Sequence, residues 1–362
     1  MTDHIKNRRG VLLTLLLVTI AALVLAACGS SSGGSSTASE EGSTAAEEGT
    51  TASEGGEGGG GTSVGLVLSG PTNDDGYYEQ TATGMEEAAA KVGDELKVVE
   101  NVGFEPNDQI NAAKNLILQG AELVVMDGTM GNAAAAVAEQ NPEVEVVIHQ
   151  APPPAELPNL HAYIAQQGIT SYIIGSLAAS LSSSKKVGFI AGLDDIPTGE
   201  AFSGFKLGVE AQDPSVSVEK SVVGSYSDPA KAKQATAAQL SNGVDEVYGF
   251  VDAGLLGVAG AVDESGDEAG VYASSVSRCD VSEAVVASAL ADHGQIMLDI
   301  LESYAAEELV EGVQFYGVED PKMQRVELCP GWDTPENEKL VEQVTAEINE
   351  GKVKLPKSVT GA

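Results

Sequence analysis

Val187-Gly188-Phe189-Ile190-Ala191-Gly192 reads as a buried strand running into a glycine turn. A short apolar run without charge suits the middle of a parallel sheet, where helices cover both faces. Working back from it, similar runs stand at 64–68, 97–99, 123–126, 144–148 and 160–164; working forward, at 216–223, 246–251 and 270–274. Helix-like stretches fill the gaps at 78–92, 108–119, 131–140, 169–183, 199–211, 229–242, 255–264 and 284–306, and a last one covers 335–350. Gly93, Gly120, Pro142 and Gly243 punctuate the joins. Strands alternating with helices predict an α/β protein built on parallel sheets. Because the pattern restarts at Val187, after the loop Ala151-Pro152-Pro153-Pro154, the chain divides into two lobes near 165–168. Further crossings between lobes are expected near 275–283 and 318–327. That assigns 63–166 plus about 280–320 to an N-terminal lobe, and 167–279 plus about 321–362 to a C-terminal lobe.

The first residues do not belong to that fold. Lys6, Arg8 and Arg9 precede an uncharged apolar stretch, 11–24, too short for a spanning helix. It ends in Leu25-Ala26-Ala27-Cys28, which resembles a bacterial lipobox. On that reading 1–27 is a signal peptide and Cys28 carries lipid; an ordinary cleaved signal or an uncleaved anchor are the alternatives. Each places the body outside the cytoplasm, and the first anchors it to the outer face of the cell membrane. Residues 29–62 hold only Gly, Ser, Thr, Ala and Glu, which predicts a flexible tether.

The formal charge is −35, and −37 once 1–27 are removed. Such a body repels nucleic acid and anionic lipid, so contact with a membrane is expected through the anchor alone. With Cys28 lipidated, Cys279 and Cys329 are left as a disulfide, favoured by the compartment, or as two buried thiols. Each lies near an inferred crossing, so a bridge between them is expected to restrain the hinge.

Ligands of parallel α/β lobes meet the loops at the C-terminal strand ends. Four such loops carry acid: Asp74 and Asp75, Asp127, Asp194 and Asp195, and Asp252. Carboxylates accept hydrogen bonds, so an acid-ringed cleft without Lys or Arg disfavours anions and favours a polyol, a nucleoside or an amine. Each Asp has an alternative role as a helix N-cap. Tyr77 and Tyr78 offer ring faces and hydroxyls, and Gln80, Asn132 and Ser227 further polar contacts. Trp332 is either a lid or a buried anchor.

Several stretches, in order, resemble the basic membrane protein (PnrA-like) family. Asp74-Asp75-Gly76-Tyr77-Tyr78-Glu79-Gln80 resembles its D-D-x-S-F-N-Q loop, and Gln119-Gly120-Ala121-Glu122-Leu123-Val124-Val125 its QGYDLII segment. Val187 to Gly192 with Asp195-Ile196-Pro197 resembles VGFVGGMDIP, and Gly224-Ser225-Tyr226-Ser227-Asp228-Pro229-Ala230-Lys231 resembles GSFNDPAKG. The resemblance implies a type I periplasmic-binding-protein fold, two Rossmann-like lobes with three crossover strands. It also implies a substrate-binding lipoprotein of an ABC importer, working with a permease on a small ligand such as a nucleoside. It aligns the family's loop aromatic with Tyr78. The chain departs where the family has GVDSDQ: Ala273-Ser274-Ser275-Val276-Ser277-Arg278 lacks both acids, and Arg278 stands where family members grip ribose.

Nothing in the sequence has catalytic spacing. His4, His149, His161 and His293 form no metal-ligand pair, and the Gly-rich stretch 55–61 lacks the Lys-Ser/Thr of a phosphate loop. A binder without metal or cofactor, acting as a monomer, is the expectation. A sensor of a sugar or amine feeding a membrane receptor, an importer component for a sugar, amine or amino acid, or a surface lipoprotein without ligand, are the alternatives.

Overall fold

A computed structural model describes residues 61–266 and 268–361. The signal peptide, Cys28 and the tether lie outside the described residues. The N-terminal lobe contains β1 (Ser63–Val67), α1 (Tyr77–Val92), β2 (Glu95–Val99), α2 (Pro106–Leu118), β3 (Leu123–Asp127), α3 (Gly131–Gln140), β4 (Glu145–His149) and β5 (Leu160–Ala165). The C-terminal lobe follows with α4 (Gln167–Leu181), β6 (Lys186–Ala191), α5 (Ile196–Gln212), β7 (Ser217–Val222), α6 (Pro229–Ser241), β8 (Glu246–Phe250), α7 (Leu255–Ser265), β9 (Gly270–Ser275) and β10 (Val285–Ala291). The chain then returns for α8 (His293–Ala305) and β11 (Val313–Tyr316), and crosses again for β12 (Gln324–Leu328), α9 (Pro335–Asn349) and α10 (Lys357–Thr360).

The two sheets repeat one topology, β2-β1-β3-β4-β5-β11 and β7-β6-β8-β9-β10-β12. Neighbours pair in parallel except β12, which runs antiparallel to β10. The central strands are apolar on both faces because both are covered: β3 is buried along its whole length. On the C-terminal lobe, α4 is buried nearly all round, and glycines let α5 lie against it. A Cβ on Gly208 would come within 2.0 Å of the Tyr172 carbonyl oxygen, and one on Gly175 within 2.1 Å of that of Phe205. Only backbone hydrogen fits there. No described helix is long and apolar enough to cross a membrane.

Three expectations need correction. The stretch 284–306 is not one helix: its first half is β10 and its second half α8. Val285–Ala291 is wholly buried and alanine-rich, and a short apolar run gives no period to separate strand from helix. The second crossing therefore lies at Asp292, whose side chain caps α8 by accepting the Gln295 N–H, and not at 275–283. Residues 280–291 consequently belong to the C-terminal lobe. The other crossings lie at Gln166 and at 317–323, side by side, with the Gln166 N–H donating to the Tyr316 carbonyl at 2.8 Å. Third, Cys279 and Cys329 are joined as a disulfide, but both lie in the C-terminal lobe. The bridge ties the β9–β10 loop to the end of β12 within that one lobe, and the chain between its two cysteines makes the crossings at Asp292 and at 317–323.

Candidate functional site

Both sheets point the C-terminal ends of their strands at one another, and the loops there wall a cleft of about 550 Å³. From the N-terminal lobe come Tyr77 and Tyr78, at the start of α1, and Asp127, at the end of β3. From the other lobe come Asp195, Tyr226, Phe250 and Asp252. None of the described residues lining the cleft is a lysine or arginine.

The carboxylates differ in how fully the protein already satisfies them. Asp127 accepts from the N–H groups of Ser69 and Thr129, at 2.5 and 2.9 Å, and from the Thr129 hydroxyl at 2.5 Å. Burial raises its pKa above the ordinary value, against those bonds. Asp74, just behind the wall, accepts three N–H groups at the start of α1, from Gly76, Tyr78 and Glu79. Asp195 caps α5 through the Thr198 N–H at 3.1 Å, and the Tyr226 hydroxyl donates to its two oxygens at 2.9 and 2.8 Å. Asp252 is different. It is 8% exposed, and among the described residues the one hydrogen bond to its carboxylate comes across the cleft, from the Tyr77 N–H at 3.4 Å. Burial foremost, then the charge of Asp74, pushes its pKa up to about 8.

The aromatic wall is held from behind. The Tyr77 hydroxyl donates to the His149 carbonyl at 3.2 Å, and its ring stacks on the His149 imidazole, centroids 5.4 Å apart. His149 Nε2 lies 3.2 Å from His293 Nδ1. Both rings are fully buried, and burial lowers the pKa of His293 to about 3 and that of His149 well below its ordinary value. Two neutral imidazoles thus fix the ring that faces the cleft. Two wall residues, Gln150 (φ 82°) and Ser275 (φ 66°), have left-handed backbone, which non-glycine residues adopt chiefly where surrounding structure enforces it.

Of the residues singled out from the sequence, Tyr77, Tyr78, Asp127, Asp195 and Asp252 come together in the wall. The others do not. Asp75 is exposed with φ 53°, its N–H donating to the Glu79 carboxylate at 3.0 Å. Asp194 points into solvent and pairs with Lys220 at 3.2 Å, while its neighbour Asp195 turns inward. Asn132 is exposed on α3. The Gln80 side chain accepts the His293 N–H at 3.1 Å, tying α1 to α8. Arg278 lines a separate groove beside the cleft, with Asp75, Glu79 and Asp292. Ser227 is exposed, and Trp332 is an anchor, not a lid: it packs on the cluster of Val285 and Cys329 and donates to the Glu283 carbonyl at 3.0 Å. Sequence reasoning missed Tyr226, Phe250, Gln150, Ser274 and Ser275 as wall residues; the last two lie inside the stretch noted for its lost acids. Among the described residues no group of three or more His, Cys, Asp or Glu is placed to hold a metal ion.

Known proteins agree with this geometry. The profile of the family described as "ABC transporter substrate-binding protein PnrA-like" matches residues 62–358. Basic membrane protein A2 of Borrelia garinii is 24% identical over 288 residues, covering 73% of this chain and 82% of that protein. The ABC transporter nucleoside-binding protein BmpA of Lactococcus lactis is 29% identical over 155 residues, covering 42% of this chain and 44% of that one. A solute-binding protein of an ABC transporter system from Aeropyrum pernix superposes with a TM-score of 0.72 at 18% identity, over 82% of this chain and 93% of its own. Two parallel α/β lobes, a cleft where their strand ends meet, and a match along the whole described body lead to one conclusion: the chain belongs to the PnrA-like family of ABC transporter substrate-binding proteins.

Proposed function

We propose that this protein captures a nucleoside in the cleft between its lobes, closes over it, and delivers it to an ABC permease. The observation that carries the reading is the composition of the wall. Tyr77, Tyr78, Tyr226 and Phe250 offer ring faces to a flat base, and acids and serines offer acceptors to hydroxyl and N–H groups, with no basic side chain for an anion. The name of the Lactococcus lactis relative points the same way. A solute touching both lobes favours the closed form by the contacts it makes only there. We further propose that the chain acts as a monomer, held at the outer face of the cell membrane by lipid on Cys28.

A thermal-shift panel of nucleosides, bases, sugars, polyamines, amino acids and nucleotides tests the reading. A nucleoside at 100 times its Kd is expected to stabilise the fold by about 2.7 kcal/mol, a rise of several degrees. Stabilisation by nucleotides or other anions alone overturns the reading.

A further inference from the structure

Resting on that reading of the cleft, we propose that Asp252 is its specificity-determining residue: it takes a hydrogen-bond donor, an amino or ammonium group, from the captured solute. The cleft therefore prefers amine-bearing solutes to otherwise identical ones that lack the amine.

The argument is an account of lone pairs. Asp127 receives three donors, Asp74 three, and Asp195 the Thr198 N–H and the Tyr226 hydroxyl. Those carboxylates hold the ends of elements in place and have little acceptor capacity left. Asp252 is buried too, at 8% exposed, yet among the described residues its carboxylate receives one N–H at 3.4 Å, beyond the usual 2.7–3.2 Å range. A buried carboxylate left so poorly satisfied is costly, and its environment is completed by any donor placed in the cavity.

Among the described residues no side chain donates to Asp252. Arg278, the cation whose charge reaches Asp252, lines the neighbouring groove, and among the described residues no ion pair joins the two. The stretch where the resemblance leads one to expect two acids, Ala273 to Arg278, holds none here, and its Ser274 and Ser275 do line the cleft. Hydroxyls of a solute can meet serine there, which leaves Asp252 as the acid that reads an amine. Closure also brings Asp252 against the opposite lobe, where it faces Gly76 and the Tyr77 N–H at the start of α1. A solute donor bound to Asp252 thus acts at the seam between lobes.

Calorimetric titration of the full chain tests this with nucleosides that differ by one amino group: adenosine against purine riboside, and guanosine against inosine. At about pH 9, where the Asp252 carboxyl, raised to about 8, is ionised, the amino-bearing member of at least one pair is expected to bind about tenfold tighter or more, as for a hydrogen bond to a charged acceptor. Asp252→Asn, near-isosteric, should shrink that ratio to about twofold, and Asp252→Ser should do the same should the first variant fold poorly. No preference in the wild type, or one unchanged in either folded variant, overturns the inference. If no nucleoside binds at all, the nucleoside reading fails by itself, and putrescine against butane-1,4-diol decides the inference by the same ratio. Binding of neither overturns both.

Discussion

Gly76→Ala should prevent full closure without unfolding either lobe. A Cβ at residue 76 would stand 2.3 Å from Asp252 Oδ1 and 2.6 Å from both Cβ and Cγ of Asp252. Ordinary contact begins near 3.4 Å, so the lobes must part by about 1 Å at this seam or side chains must leave their rotamers, as in an overpacked core. The two residues belong to opposite lobes, so the clash exists only in the closed form. Overpacking costs about 1–3 kcal/mol, which as a penalty on closure alone weakens solute binding about 5- to 150-fold. Melting without solute should stay within about 1 °C of wild type, since lobe packing is untouched. Titration calorimetry with the best nucleoside, paired with melting curves, reads both quantities. Affinity within twofold of wild type would refute the reasoning, as would equal loss of stability with and without solute.

Asp252→Asn should stabilise the solute-free protein in a pH-dependent way. The Asp252 carboxyl is pushed up to about 8 from an ordinary 3.8, so the folded state holds this proton more tightly than the unfolded chain. Its contribution is most favourable below about pH 4 and is lost as pH rises toward 8. The variant's advantage in denaturant midpoint should therefore grow between those values and level off above them; an advantage independent of pH would contradict it. Replacing Cys279 and Cys329 by alanine opens a link between residues 50 apart in sequence, for which loop-closure entropy gives a loss of about 4 kcal/mol. Because the bridge stays within one lobe, solute affinity should change by less than about threefold, and a large change would restore the hinge-restraint idea. In α7 nothing lies within 4 Å of a Cβ on Gly260, whereas one on Gly175 meets the Phe205 backbone. Gly260→Ala should thus add up to about 1 kcal/mol in urea unfolding, and Gly175→Ala should remove about 1–3 kcal/mol.

The strands most readable in the sequence are those buried on both faces. β1, β3, β4, β6 and β8 each have an apolar middle between turn signals, and burial on two sides forces that pattern. β11 and β12 could not be read that way. They are partly buried strands at the edges of their sheets, and Gln324, Arg325 and Glu327 leave β12 without an apolar run. β10 failed for the opposite reason: it is apolar throughout, so period cannot distinguish it from the helix that follows.

At the site, acid at the strand ends was legible, but not which acid of a pair turns inward. Asp74 and Asp195 face the body while Asp75 and Asp194 face water, and one peptide unit separates each from the other. That choice is made by the helix that follows, whose free N–H groups draw in whichever carboxylate reaches them: Gly76, Tyr78 and Glu79 for Asp74, Thr198 for Asp195. Capping and solute binding are therefore competing uses of the same side chains. An acid that wins a cap is withdrawn from the ligand. Asp252 caps nothing with its carboxylate, because α7 begins at Leu255 behind a glycine and takes no side-chain cap. Its partner, the Tyr77 N–H, is 175 residues away in sequence and meets it only when the lobes close. Each lobe's own loops reveal the character of its half of the wall, whereas the contact that decides what the wall selects belongs to neither half alone.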